Sequence, residues 1–121
     1  MAGTIIADDL QHSNNDTVGT EYLIHGSAKV WTRFNPSSNT EIDSLNQSSR
    51  TDNGTGKSTI NFTNNMNDSV WCGTCIAGSS NRFVINNTPN TTRFKIETYA
   101  VSSQSANDST DVYGVVHGDL A

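Results

Sequence analysis

The sequence predicts an all-β domain, an antiparallel β-sandwich of jelly-roll-like kind, with a short N-terminal arm. Three observations predict it. From Tyr22 onward, segments rich in Val, Ile, Thr and aromatic residues recur about every ten residues, the spacing of a sandwich. Most of them alternate apolar with polar positions, the period of a half-buried strand. The joins between them are Asn, Ser, Thr, Gly and Pro, which is turn chemistry. No stretch carries a convincing helical period.

Taken in order, residues 4–10 form a first short extended segment, and 12–20 a polar loop or arm. Residues 28–34 (AKVWTRF) set Ala28, Val30, Thr32 and Phe34 against Lys29, Trp31 and Arg33. Residues 40–49 (TEIDSLNQSS) make a weaker strand whose apolar points are Ile42 and Leu45. In 58–63 (STINFT), Ile60 and Phe62 share one face. Residues 69–77 (SVWCGTCIA) are an apolar run in which Gly73 marks a bulge. Residues 82–85 (RFVI) and 92–101 (TRFKIETYAV) follow. The latter puts Phe94, Ile96 and Thr98 opposite Arg93, Lys95, Glu97 and Tyr99. Residues 110–118 (TDVYGVVHG) form the last strand. The reading is an arm over 1–20 that attaches the protein and a sandwich over 21–121.

At 121 residues the chain makes one domain. Apolar residues are only 33% and charged residues only 16%, so the core is thin. Disordered chains are poor in β-branched and aromatic residues, and here both run the length of the chain. A thin core favours self-association, because a second copy can bury what one leaves exposed. The formal charge is -5 and the seven Lys and Arg are scattered, so no basic patch invites nucleic acid. No apolar run is long enough for a membrane span. The opening MAGTIIADDLQH lacks the charged leader and apolar stretch of a signal peptide, so synthesis in a cytoplasm is expected.

Several stretches imitate chemical motifs. DNGTGKST (52–59) ends like a phosphate-binding loop, but the required first glycine falls at Thr51 and an alternating strand follows where a helix is needed. Asp52, Asn53, Gly54 and Gly56 instead supply a hairpin turn. WCGTC (71–75) resembles a redox Cys-x-x-Cys, yet no βαβ pattern or helix start surrounds Cys72 and Cys75. His12, His25 and His117 lack zinc-finger spacing; a spatial cluster, or a ring on a symmetry axis, stays open. There is no nucleophile elbow and no framed carboxylate pair, so the sequence offers no catalytic residues, cofactor or metal. Sequons such as those at Asn46, Asn53, Asn61 and Asn90 are expected by chance at this composition. Trp31, Trp71, Tyr99 and Tyr113 are the candidate surface or interface aromatics, serving either subunit contacts or stacking on sugars.

Three stretches together carry a resemblance. MAGTIIADDLQ (1–11), HGSAKVWTRFN (25–35) and DSLNQSSRTDNGTGKSTINFTNNM (43–66) are similar to small tail-fibre and virion-appendage proteins of tailed phages, of the marine type. TDVYGVVHG fits the family's closing strand more loosely. The match is specific over 25–66 and departs at Lys57, where the family usually has an acidic or neutral residue. The resemblance implies a structural, non-enzymatic virion protein made in the host cytoplasm. It implies a homotrimer, joined to other virion proteins through residues 1–20, and contact with a host-surface glycan or protein. It leaves two rivals: a capsid decoration or head-fibre protein on the major capsid lattice, and a stand-alone carbohydrate-binding domain.

Overall fold

The computed structural model describes residues 3, 6–87 and 89–121. Thr4 and Ile5, which open the first expected segment, lie outside them. The sandwich is built from β3 (Ala28–Asn35), β4 (Thr40–Leu45), β5 (Gln47–Asp52), β6 (Lys57–Phe62), β7 (Cys72–Ala77), β8 (Arg82–Asn87), β9 (Arg93–Ala100) and β10 (Val112–His117). They form two four-stranded antiparallel sheets, ordered β4-β3-β10-β7 and β5-β6-β9-β8. The expected all-β, antiparallel sandwich is therefore the fold.

Alternation assigns the faces. Val30 and Phe34 of β3 and Val112 and Val116 of β10 point inward from the first sheet. Ile60 and Phe62 of β6 and Phe94 and Ile96 of β9 meet them from the second. Met66, beyond β6, completes this buried cluster. The four interior strands thus supply nearly all of the core, and the edge strands β4, β5, β7 and β8 add only partly buried Cys75 and Val84. At one side β7 and β8 run against each other: a β-carbon on Gly73 would collide with the Asn86 side chain. The β7–β10 ladder is regular, so Gly73 marks this close approach and not the expected bulge. The irregularities of this sheet lie between Val116 and His117, where β10 pairs with β3, and between Arg33 and Phe34, where β3 pairs with β4.

Residues 40–49, read above as one strand, belong to two. The chain leaves β4, turns at Asn46 and enters β5 in the other sheet. Asn46 sits in the left-handed region (φ 57°), which Asn tolerates better than most residues. Its side chain fixes the corner by donating from Nδ2 to the Asn64 carbonyl (3.1 Å) and accepting from the Asn64 amide (2.7 Å). Asn39, at the β3–β4 turn, and Asn81, between β7 and β8, adopt the same backbone region. Much of the Asn content is corner chemistry.

The first strand of the sandwich starts at Ala28, so the arm runs past the expected 1–20; it holds β1 (Asp9–Gln11), β2 (Thr17–Gly19) and a helix, α1 (Thr20–Gly26). The expectation of no helix is overturned here. The signals read from Tyr22 as strand, a Tyr-Leu-Ile triplet, lie in α1, which is too short to display a period. Lys29 donates from Nζ to the Ile24 carbonyl and to Ser27 Oγ (2.6 Å), which places a cation at the helix C-terminus. No helix among the described residues is long and apolar enough to cross a membrane.

The corner yields a prediction. Asn46→Ala removes two hydrogen bonds and puts a less tolerant residue at positive φ, so it should cost about 2–3 kcal/mol. Asn46→Gly loses the same bonds but accepts the backbone and should cost less. Urea unfolding midpoints check the order.

Candidate interaction surfaces

The 52–59 stretch is a hairpin between β5 and β6. The Asn53 amide donates to the Lys57 carbonyl (2.9 Å), the Lys57 amide to the Gly54 carbonyl (2.9 Å), and Asp52 Oδ1 accepts from the Gly54 amide (2.8 Å). Gly54 and Gly56 both have positive φ, 97° and 69°. Their surroundings differ. Gly54 faces open space, while a β-carbon on Gly56 would lie 2.5 Å from the Thr98 carbonyl oxygen and 2.7 Å from the Asn107 nitrogen. The Gly56 amide donates to Asp108 Oδ1 (2.6 Å) and its carbonyl accepts from the Thr98 amide (2.7 Å). The glycine that imitates a phosphate loop is committed to protein partners, and a strand, β6, follows it. Without a helix start there is no row of free amides for an anion.

Cys72 and Cys75 are both free thiols on opposite faces of β7, Cys72 exposed and Cys75 packed against the core. Burial pushes the Cys75 thiol up to about 12. His12 lies in the β1–β2 turn, His25 in α1 and His117 in β10. His117 Nδ1 is 2.8 Å from the Gly26 carbonyl oxygen. Among the described residues no three His, Cys, Asp or Glu side chains gather as a metal site would require.

The four aromatics separate into different settings. Trp71, just before β7, is half-buried: its ring meets Phe62 and Phe94 edge-on, with centroids at 6.4 and 5.9 Å, and its Nε1 donates to the Asn90 carbonyl (3.2 Å). Trp31 and Tyr113 share the outer face of the first sheet. Trp31 stands between Leu45 and Val115, and Tyr113 beside Ile76, with the Arg33 guanidinium 5.3 Å from the Tyr113 ring centre. Arg33 also pairs with Asp111 at 3.3 Å. Tyr99 is on the outer face of the second sheet, stacked on Phe83 at 5.3 Å and 14°. Its hydroxyl donates to Glu97 Oε2 (2.5 Å), and this bond is the main cause that raises its pKa.

Two features escaped sequence reading. Arg50 of β5 is nearly buried: its guanidinium lies over the Phe34 ring (4.8 Å), is ion-paired with Glu41 (3.4 Å) and bonded to Asn39. It joins the two sheets beside an open polar groove of about 480 Å³ lined by Asn39, Glu41, Ser44 and Gln47–Ser49. Nothing in QSSRTD marks Arg50 for burial. The second feature is the company on the outer face of the second sheet. The alternation of β9 places Arg93, Lys95, Glu97 and Tyr99 there, but only the strand register adds Lys57 opposite Glu97 and Phe83 opposite Tyr99.

Comparison with protein-family profiles, with curated proteins and with solved structures returns no match.

Gly54→Ala should cost about 1 kcal/mol for its backbone region alone, whereas Gly56→Ala adds a collision with backbone and should cost about 3 kcal/mol or more. Denaturant unfolding of the two variants checks the gap. For the thiols, iodoacetamide should label Cys72 in the folded chain and Cys75 only after unfolding, read by mass spectrometry. Because the Cys75 thiol holds its proton in the folded state and loses it in the unfolded chain, stability should fall as pH rises from about 9 towards 12. Cys75→Ala should flatten that fall.

Proposed function

We propose that this chain is a structural module of a tailed-phage particle, a tail-fibre or appendage domain that assembles as a homotrimer through its N-terminal arm. The resemblance of residues 25–66 supports the virion setting. One observation supports assembly through the arm: among the described residues, its large apolar side chains stand exposed. Ile6 is 93% exposed, Tyr22 69% and Ile24 54%, and Leu10, Val18 and Leu23 are exposed beside them. No residue of α1 is buried. A helix of seven residues and a hairpin of three-residue strands are not stable on their own in water. Burial of these side chains against copies of the arm supplies what the single chain lacks. A hollow of about 470 Å³ lined by Ile6, Ala7, Leu10, Thr20, Leu23 and Ile24 offers a seat for a neighbour's side chains.

In this reading the sandwich is carried outward and the arm holds it in place. Three linked copies raise the effective concentration of each weak contact, so modest affinity per domain suffices. Light scattering on the full chain at micromolar concentration tests assembly. A three-fold mass is expected, and the Tyr22→Ser/Leu23→Ser/Ile24→Ser variant should fall to a monomer with the sandwich still folded. A wild-type monomer overturns the trimer.

A further inference from the structure

The chain carries a net charge of -5, yet its charge is not evenly spread. The outer face of the second sheet holds Lys57, Arg93 and Lys95 against a single carboxylate, Glu97. That carboxylate accepts the Tyr99 hydroxyl, and none of the three cations is in an ion pair among the described residues. Lys57 and Lys95, with Asn53, Ser58 and Glu97, line a hollow of about 220 Å³. At the far end of the face stand the stacked Phe83 and Tyr99 rings, and Thr59, Asn61, Ser49 and Thr51 lie beside the cations on β6 and β5. Arg93 and Tyr99 are separated by six residues of one strand, roughly 20 Å.

We propose that this face binds an acidic polysaccharide, one carboxylate-bearing sugar seated between Lys57 and Lys95 and a neighbouring ring against the Phe83–Tyr99 pair. The charge complementarity is local: on an acidic protein, this face is where unpaired cations gather. The spacing favours a sugar polymer over nucleic acid. Three separated cations set among hydroxyl and amide groups match a chain with sparse charges and many hydroxyls. Duplex phosphates recur every ~1.7 Å along the axis and would meet the repulsion of the remaining acidic surface. Aromatic rings give a saccharide an apolar face to lie on while their edges stay in water. The inference rests on the virion reading only for its biological setting; the surface is defined by its own residues.

The test is titration of the full-length protein with polygalacturonate at low salt, with dextran and a single-stranded oligonucleotide as comparisons. Polygalacturonate should bind, dextran should not, and binding should weaken as salt is raised. Lys57→Gln/Lys95→Gln should reduce affinity about tenfold with no change in thermal midpoint. Arg93→Gln should reduce it less, which provides a second variant should the double one misfold. Equal binding by wild type and both variants overturns the proposal. So does equal binding of dextran, or tighter binding of the oligonucleotide. A trimer that ignores polygalacturonate would sink this inference alone; a monomer that binds it would sink the trimeric reading and leave this face intact.

Discussion

A β-carbon on Gly114 would lie 3.0 Å from Ile96 Cδ1, 3.1 Å from Phe94 Cζ and 3.2 Å from Thr32 Cγ2. That close approach of β10 to the opposite sheet sets the thickness of the sandwich. With a side chain absent at Gly114, Phe94 and Ile96 fill the space over the backbone of β10. The interior pairs β3–β10 and β6–β9 must therefore align together: Gly114 opposes Thr32 on one side and Cys75 on the other. A slip of one residue would turn Phe94 and Ile96 to solvent. The core is thin, but its register is strongly specified.

Polar residues complete what the apolar ones leave. Thr98 is buried and donates to the Asn107 carbonyl (2.6 Å), and Ser109 is fully buried with its Oγ donating to the Asp111 carbonyl (2.8 Å). The same Ser109 Oγ accepts from the Ser79 amide (3.0 Å), which ties the β7–β8 turn to the approach to β10. Both of these hydroxyls have their partners, so their burial does not carry the cost of an unmet bond. This is how a chain with so few apolar side chains encloses a core: small hydroxyl and amide groups close the ends of the sandwich through backbone-directed bonds.

What the sequence disclosed follows the range of its signals. Alternation is local, and it identified the inward faces of β3, β6 and β9 and the outward set Arg93, Lys95, Glu97 and Tyr99. The hairpin at 52–57 was legible because Asn-Gly and a second Gly announce positive φ. Asn46 carried no such mark, since a single Asn within polar residues reads equally as strand. The helix at 20–26 is too short to show its period. Sheet membership and cross-strand neighbours depend on pairing between distant segments, so the meeting of Lys57 with Lys95 and of Phe83 with Tyr99 lay beyond a local reading. Trp71 shows the limit from the other side: its indole reaches Asn90 and the core from outside the strand, which no alternation describes.

The division of labour within each strand has a consequence for function. Inner positions are constrained by the spacing at Gly114 and by register, and little there can change without loss of packing. Outer positions face no opposing layer, so their side chains are free to differ while the backbone ladder stays the same. The two outer faces have already diverged. One carries Trp31, Val115, Tyr113 and Ile76 around the Arg33–Asp111 pair, an apolar and locally neutral surface. The other carries cations and a stacked aromatic pair. A thin sandwich specified from within can therefore present two chemically distinct surfaces, while among the described residues the large apolar side chains ahead of it stay exposed.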